Sequence, residues 1–230
     1  MNNQAVICHK VDKTFQQGEL AVHALSGVDL EIASGGFVCL SGPSGSGKTT
    51  LLNMIGGLDR PSGGEITVAD LRIDRMRMSE LAELRLHHIG FVFQAYNLIP
   101  VLNARENVEF VMQLPGVAAA KRHVLAMDIL EEVGLKGMEE RRPGELSGGQ
   151  QQRVAVARAI VSKPALILAD EPTANLDSTT AEKLMQKMRD LNTHIGTTFV
   201  ISTHDTLVMS YAKRLIKLHD GKIVDDIAQQ

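Results

Sequence analysis

The sequence has no tryptophan and only two tyrosines, and aromatic residues make up 3% of its 230 positions. A platform that stacks single-stranded bases needs more rings than that. A basic excess is missing too: the formal net charge is −3. Duplex binders hold phosphates with surplus Lys and Arg, so a nucleic-acid ligand is disfavoured. Cysteine is nearly absent. Cys8 and Cys39 lie in the apolar runs AVICHKV and FVCL, with no CxxC spacing. They are expected to be reduced core thiols of a cytosolic protein, not zinc ligands. No apolar run approaches the roughly 20 residues that cross a bilayer. The start, MNNQAVICHK, lacks a basic segment followed by an apolar one, so no signal peptide is expected. No tandem repeat or low-complexity tract is visible. Any work at a membrane is therefore expected to pass through a partner.

What is present is enough apolar material, 44%, for one large domain with a core, with or without a subdomain. AVICHKV and VDLEIA have strand character, and GFVCLSG reads as a short buried strand between glycines. KTTLLNMIGG has helical spacing with Gly56-Gly57 as its stop. GEITVADLRI reads as strand. SELAELRLHHIG reads as helix, with Ser79 as cap and Gly90 as stop, followed by FVFQ as a short strand. From about Ala104 to Ser162 helical periodicity takes over and strand signals vanish. Strands return at ALILAD and TTFVIST, and RLIKLHDGKIVDD reads as two strands around an Asp220-Gly221 turn. Alternating helices and apolar strands predict an α/β fold with a mainly parallel sheet, carrying an inserted helical subdomain. The expected division is a core of about 1–94 and 164–230, with the helical part at about 95–163.

The segment Gly42, Pro43, Ser44, Gly45, Ser46, Gly47, Lys48, Thr49, followed by Thr50, fits G-x-x-x-x-G-K-[ST] in full. Glycines permit a tight loop with amides pointing inward. Lys48 supplies positive charge for terminal phosphates, Thr49 a hydroxyl for Mg²⁺, and the following helix its positive dipole end. Strand before and helix after is the context this loop requires. ILADE ends an apolar strand in two acids. Asp170 could hold Mg²⁺ and Glu171 could polarise an attacking water. Gln94 and His204 each follow a short strand. Gln94 could complete Mg²⁺ coordination or orient water, though a purely structural role is equally open. His204 could donate to a γ-phosphate if it shares the crevice at the strand ends, where open α/β sheets bind ligands. Phe15 could stack on adenine or simply sit in the core. LSGGQQQRVAVARA then presents Ser147, Gly148 and Gly149 as a second anion-binding helix start. One nucleotide cannot easily reach both turns of one chain. A second copy, placed head to tail with twofold symmetry, resolves this.

Together, GPSGSGKT, Gln94, LSGGQQQR, ILADE, ANLD and His204 resemble an ATP-binding-cassette (ABC) ATPase, the nucleotide-binding subunit of a transporter, from about residue 4 to 225. The resemblance implies an ABC cassette of the P-loop NTPase fold with an additional antiparallel β subdomain. It implies ATP and Mg²⁺ as ligands, with Thr49, Gln94 and Asp170 at the metal, Glu171 as base and His204 as switch. Phe15 would stack on adenine, where tyrosine is commoner. Ser147, Gly148, Gly149 and Gln150 would face the partner's γ-phosphate, and Asp177 would lie in the loop that crosses the dimer interface. VHALSGVDLEI, LLNMIGGLDRPSGGEI and IGFVFQAYNLIPVLNARENVEF are similar to the lipoprotein-release and macrolide-export group (LolD and MacB type). The membrane partners of that group are mechanotransmitters with few spans.

The resemblance thus implies an ATPase on the cytoplasmic face of an inner membrane. It would form an ATP-sandwich homodimer and power a membrane subunit expected to be separate, since this chain stops at Gln230. The coupling element of that subunit would enter beside roughly Tyr96 to Leu102, where NLIPVL offers an apolar surface. A cassette that drives cell-division signalling without moving a substrate would share these motifs. Cassettes of DNA repair insert coiled coils or zinc modules between phosphate loop and signature, and those of translation usually carry two cassettes. Neither pattern is present. The sequence names no transported substrate.

Overall fold

The computed structural model describes residues 4–18 and 20–229; the expectation about the extreme N-terminus falls partly on Met1–Asn3, outside them. Two sheets form. A four-stranded antiparallel sheet has the order β2-β1-β4-β5, from Leu20–Ala33, Gln4–Gln17, Gly63–Val68 and Leu71–Arg72. A six-stranded sheet has the order β10-β9-β3-β8-β7-β6. Its strands are Lys222–Ala228, Arg214–His219, Phe37–Ser41, Thr198–Thr203, Leu166–Asp170 and Ile89–Val92. All neighbours from β9 to β6 run parallel, and β10 pairs antiparallel with β9.

The central strands are apolar almost throughout because both faces are covered. Alternation then sorts their side chains. Val38, Leu40, Leu166, Leu168 and Val200 point to one core, shared with the antiparallel sheet and with α1 (Lys48–Ile55) and α2 (Met78–His88). Phe37, Ile167, Ala169, Phe199 and Ile201 point to the other. That second core is closed by α3 (Ala104–Phe110), α4 (Ala119–Glu132), α5 (Gly148–Ile160) and α6 (Ser178–Ile195). The rings of Phe37 and Phe199 meet there with centroids 5.4 Å apart. A final short helix, α7, spans Thr206–Tyr211. Between residues 93 and 165 the regular elements are helices only, α3, α4, a 3-10 turn at Pro143–Glu145 and α5. No helix among the described residues is long and apolar enough to cross a membrane.

Three local expectations are corrected. GEITVADLRI is not one strand but the β4-β5 hairpin, turned by Ala69 and Asp70, both at positive φ of 49° and 63°. The turn contains no glycine or proline to announce it. Nor does Ser79 cap α2. The helix begins at Met78 behind Arg77, whose N–H donates to the Glu80 carboxylate at 2.6 Å. Gly90 does not stop it either: the chain turns extended at Ile89, and Gly90 lies inside β6. A Cβ at Gly90 would sit 2.3 Å from the carbonyl oxygen of Ala159. The glycine lets β6 approach α5, which is a packing requirement rather than a terminator. Cys8 and Cys39 are buried free thiols as expected, and burial pushes each up to about 12, leaving them unreactive.

Candidate functional site

In the sheet order β3-β8-β7-β6, four neighbouring strands run the same way. Their C-terminal ends therefore form one line, and each end carries a residue singled out above. The phosphate-type loop leaves β3 after Ser41, His204 follows β8, Asp170 ends β7 with Glu171 next, and Gln94 lies two residues past β6. A cavity of ≈ 540 Å³ opens along this line. Ser44, Lys48, Thr49, Gln94, Glu171 and His204 are among its lining residues.

The loop's shape follows from its glycines. Gly42 (φ 150°) and Gly47 (φ 101°) have no space for a side chain: added Cβ atoms would lie 2.2 Å from Leu218 O and 2.6 Å from Ala24 O. Gly45 (φ 79°) faces open space. Within the loop Ser46 N–H donates to Pro43 O at 3.2 Å, while the amides of Gly45, Gly47, Lys48 and Thr49 meet no backbone acceptor among the described residues. Those free donors stand at the start of α1, where the helix dipole favours an anion. The Ser46 hydroxyl is buried without a hydrogen-bond partner among the described residues. Lys48 is buried, and its Nζ donates to Gly42 O at 2.8 Å and Pro43 O at 3.0 Å.

At the ends of β7 and β8 the side chains are already cross-linked. Thr49 Oγ1 donates to Asp170 Oδ1 at 3.0 Å, and Ser202 Oγ donates to the same oxygen. Glu171 has the left-handed φ of 46°, which a non-glycine residue adopts only when its surroundings impose it. Here its N–H is fixed by Ser202 O at 3.1 Å. The Glu171 carboxylate meets His204 Nδ1 at 2.8 Å and accepts from Thr203 Oγ1 at 3.3 Å. Thr49, Asp170 and Gln94 offer only oxygen ligands in a small set, which suits a hard cation that takes its remaining ligands from phosphates and water. Among the described residues there is no cluster of three or more His, Cys, Asp or Glu that could hold a metal ion.

Phe15 stands apart. It lies on β1 opposite Val22, is 39% exposed, and is not among the residues lining the cavity. Lys13 Nζ sits 4.7 Å from its ring centroid. Ser147, Gly148, Gly149 and Gln150 are also outside the cavity lining. Ser147 is the N-cap of α5. Gln150 N–H donates to Ser147 Oγ at 3.3 Å, and Ser147 N–H donates to Gln150 Oε1 at 2.8 Å. Both side chains therefore satisfy the helix start itself. Gly149 is enforced sterically, since a Cβ would lie 2.3 Å from Thr180 Cγ2. Thr180 is in turn held by Asp177, the N-cap of α6, through N–H···Oδ1 at 3.0 Å and Oγ1–H···Oδ2 at 2.6 Å. These hydrogen bonds hold the Asp177 carboxyl below its usual range.

Other residues shape the site without having been singled out in the sequence. Asn175 Nδ2 donates to the carbonyl of Gln94 at 2.9 Å, tying the loop before α6 to the loop after β6. Arg158 donates to Asn97 O at 2.6 Å and Tyr96 O at 2.9 Å, both residues at positive φ. Gln152, fully buried, reaches Phe93 O at 3.4 Å. The signal for Arg158 was available: a lone arginine inside the apolar run VAVARAIV must find acceptors nearby. Ser202 carried no such signal.

Beyond Gln94 lies a second hollow of ≈ 730 Å³, mainly apolar, between α2, the loop after β6 and the helical region. Leu86, Phe91, Phe93, Ile99, Phe110 and Leu114 are among its walls. Asn97 and Ile99 place part of the expected Tyr96–Leu102 surface there.

Residues 25–174 match the family described as ABC transporter. The chain is 41% identical over 223 residues to the lipoprotein-releasing system ATP-binding protein LolD of Legionella pneumophila, covering 97% of this chain and 98% of that protein. It is 45% identical over 216 residues to the macrolide export ATP-binding/permease protein MacB of Marinobacter nauticus. That match covers 94% of this chain but 33% of MacB, so the chain spans about a third of that relative. Among solved structures, the MJ0796 cassette of Methanocaldococcus jannaschii, a dimer in a post-hydrolysis state bound to ADP and Pi, superposes with a TM-score of 0.91. It is 42% identical, covering 98% of this chain and 99% of that one.

Proposed function

The chain belongs to the ABC transporter family, and from that premise we propose that it is the ATP-hydrolysing subunit of a LolD/MacB-type assembly, working as a head-to-tail dimer on a membrane subunit. The observation that carries the reading is the convergence of Lys48, Thr49, Gln94, Glu171 and His204 on one cavity at the ends of adjacent strands.

In this scheme the free amides of the loop and the start of α1 receive the β- and γ-phosphates. Lys48 exchanges the carbonyls of Gly42 and Pro43 for phosphate oxygens. Thr49, Asp170 and Gln94 would hold Mg²⁺, which, when bound, neutralises phosphate charge. Glu171 accepts hydrogen bonding from a water and aligns it for attack on the γ-phosphorus. The new P–O bond forms as the bond to the ADP oxygen breaks, and the water's proton moves toward the Glu171 carboxylate. His204, 2.8 Å from Glu171, orients that carboxylate and would donate to the γ-phosphate. Phe15, on its exposed strand face, would stack on the base. Ser147, Gly148, Gly149 and Gln150 of one copy would close the site of the other, with Asp177 beside the crossing. The ≈ 730 Å³ groove would take the coupling element of a mechanotransmitting membrane subunit at the inner membrane.

Glu171→Gln tests the chemical core. The amide keeps the carboxylate's size and can still meet Thr203. Turnover is expected to fall about 10²-fold or more while ATP binding persists, because a positioned base contributes on that order. Addition of ATP should then accumulate a dimer. Full turnover in the variant would remove Glu171 from the base role.

A further inference from the structure

Next to the apolar groove is a third hollow, of ≈ 340 Å³, with a different character. Its floor includes Leu86, Met112, Val117 and Leu125. Its charged lining among the described residues is Lys121 and Lys163, joined by the imidazole of His87, with no Asp or Glu. This is unusual for a chain whose overall balance is acidic. His87 has partial compensation from Glu83 at 3.4 Å. Lysine ion pairs among the described residues are those of Lys13, Lys136 and Lys217, so Lys121 and Lys163 have none.

The backbone adds to the same sign. Lys121 lies in the first turn of α4, a 14-residue helix whose N-cap, Ala118, offers no side-chain acceptor and whose first turn holds no acid. The helix therefore presents free amides and its positive dipole end beside the lysine. Arg122 follows. Its Nη1 is used on Val117 O at 2.6 Å, and its Nε is buried with no partner. The hollow also shares Leu86 and Ser162 with the apolar groove, so the two are contiguous.

We infer that this hollow is a second docking point for the membrane subunit, and that it receives an acidic amphipathic segment of that subunit. Apolar side chains of the segment would cover Leu86, Met112 and Leu125, and its carboxylates would meet Lys121, Lys163 and the start of α4. The inference rests on the reading that the neighbouring groove docks the coupling element. A chain leaving that groove past Leu86 enters the hollow directly, which favours a continuous polypeptide over a separate anionic lipid. Charged rims steer and select partners more than they hold them, so the hollow would set which membrane subunit fits.

The test uses the full chain in its own membranes, with photo-crosslinking benzoylphenylalanine placed at Ala82 in the groove or at Pro115 beside the hollow. Both positions are exposed. Sequencing the crosslinked peptides should give two segments of one membrane protein, the Pro115 product containing at least two Asp or Glu. A Pro115 product without acids, a phospholipid adduct, or no Pro115 product where Ala82 gives one, would overturn the inference and leave the groove reading intact. No membrane-protein product from either position would sink the groove reading itself. The double variant Lys121→Glu with Lys163→Glu supplies a second arm. Basal ATPase should be unchanged, while membrane subunit recovered with the chain should fall about five-fold or more, as expected for reversing two rim charges. Lys121→Arg with Lys163→Arg should retain it. Unchanged recovery with the Glu pair would also overturn the inference.

Discussion

At the scale of single residues, Lys48 shows how an anion site can be ready without being strained. Its ammonium is folded back on two carbonyls of its own loop, so under the proposed function nucleotide binding would exchange partners rather than bury a new charge. Lys48→Ala should lower ATP affinity about 10- to 100-fold, the range for losing a charge-assisted hydrogen bond. Titration calorimetry reads this directly, and unchanged affinity would remove Lys48 from phosphate binding. The sequence made Lys48, Asp170, Glu171 and His204 legible because each sits at the end of an apolar strand or in a glycine-rich loop, where chemistry leaves a pattern. Ser202 and Asn175 were not legible. Ser202 Oγ donates to Asp170 and accepts from Glu171 N–H at 3.3 Å, Asn175 donates to the Gln94 carbonyl, and nothing in a serine or asparagine announces its partner. Phe15 was named in the sequence but sits outside the cavity lining, on the strand of another sheet.

At the scale of elements, the best-read features are the short apolar strands. β3 and β7 are apolar up to their last residue, β8 carries Phe199, Val200 and Ile201 at its centre, and the structure buries both faces of each. Boundaries were less legible where a side chain, not a breaker, decided them. Glu80 reaching back to Arg77 starts α2 ahead of Ser79, and Ala69-Asp70 turns a hairpin without glycine. Gly90 looked like a stop because glycine often is one, yet its use is the close approach of β6 to α5. Gly90→Ala should therefore destabilise the fold by about 1–3 kcal/mol, the usual range for overpacking. Its clash partner is a backbone carbonyl, which cannot swing aside. The urea midpoint measures this, and an unshifted midpoint would contradict the packing account.

At the scale of the whole molecule, the parallel order β3-β8-β7-β6 gathers Lys48, Thr49, Gln94, Glu171 and His204 on a single edge, while Ser147 to Gln150 lie outside the cavity that edge lines. Sequence legibility was good for the first fact, since alternating helices and strands imply strand ends on one side. It was indirect for the second, because no pattern within one chain states where a second copy sits. If each site needs both copies, hydrolysis per chain should rise with protein concentration at low concentration and then level off. Glu171→Gln with ATP should scatter as twice the 25.0 kDa of one chain. A concentration-independent rate from a monomer would overturn the shared site. The contact between Gly149 and Thr180 has a consequence for descent. A methyl group at position 149 collides with the methyl of Thr180, whose hydroxyl and amide are pinned by Asp177. Thr180→Ser keeps the pinned hydroxyl and deletes the obstructing carbon. Alanine at 149 is thus sterically admitted once position 180 has lost that carbon, so a change such as Thr180→Ser has to come first for Gly149→Ala to be tolerated.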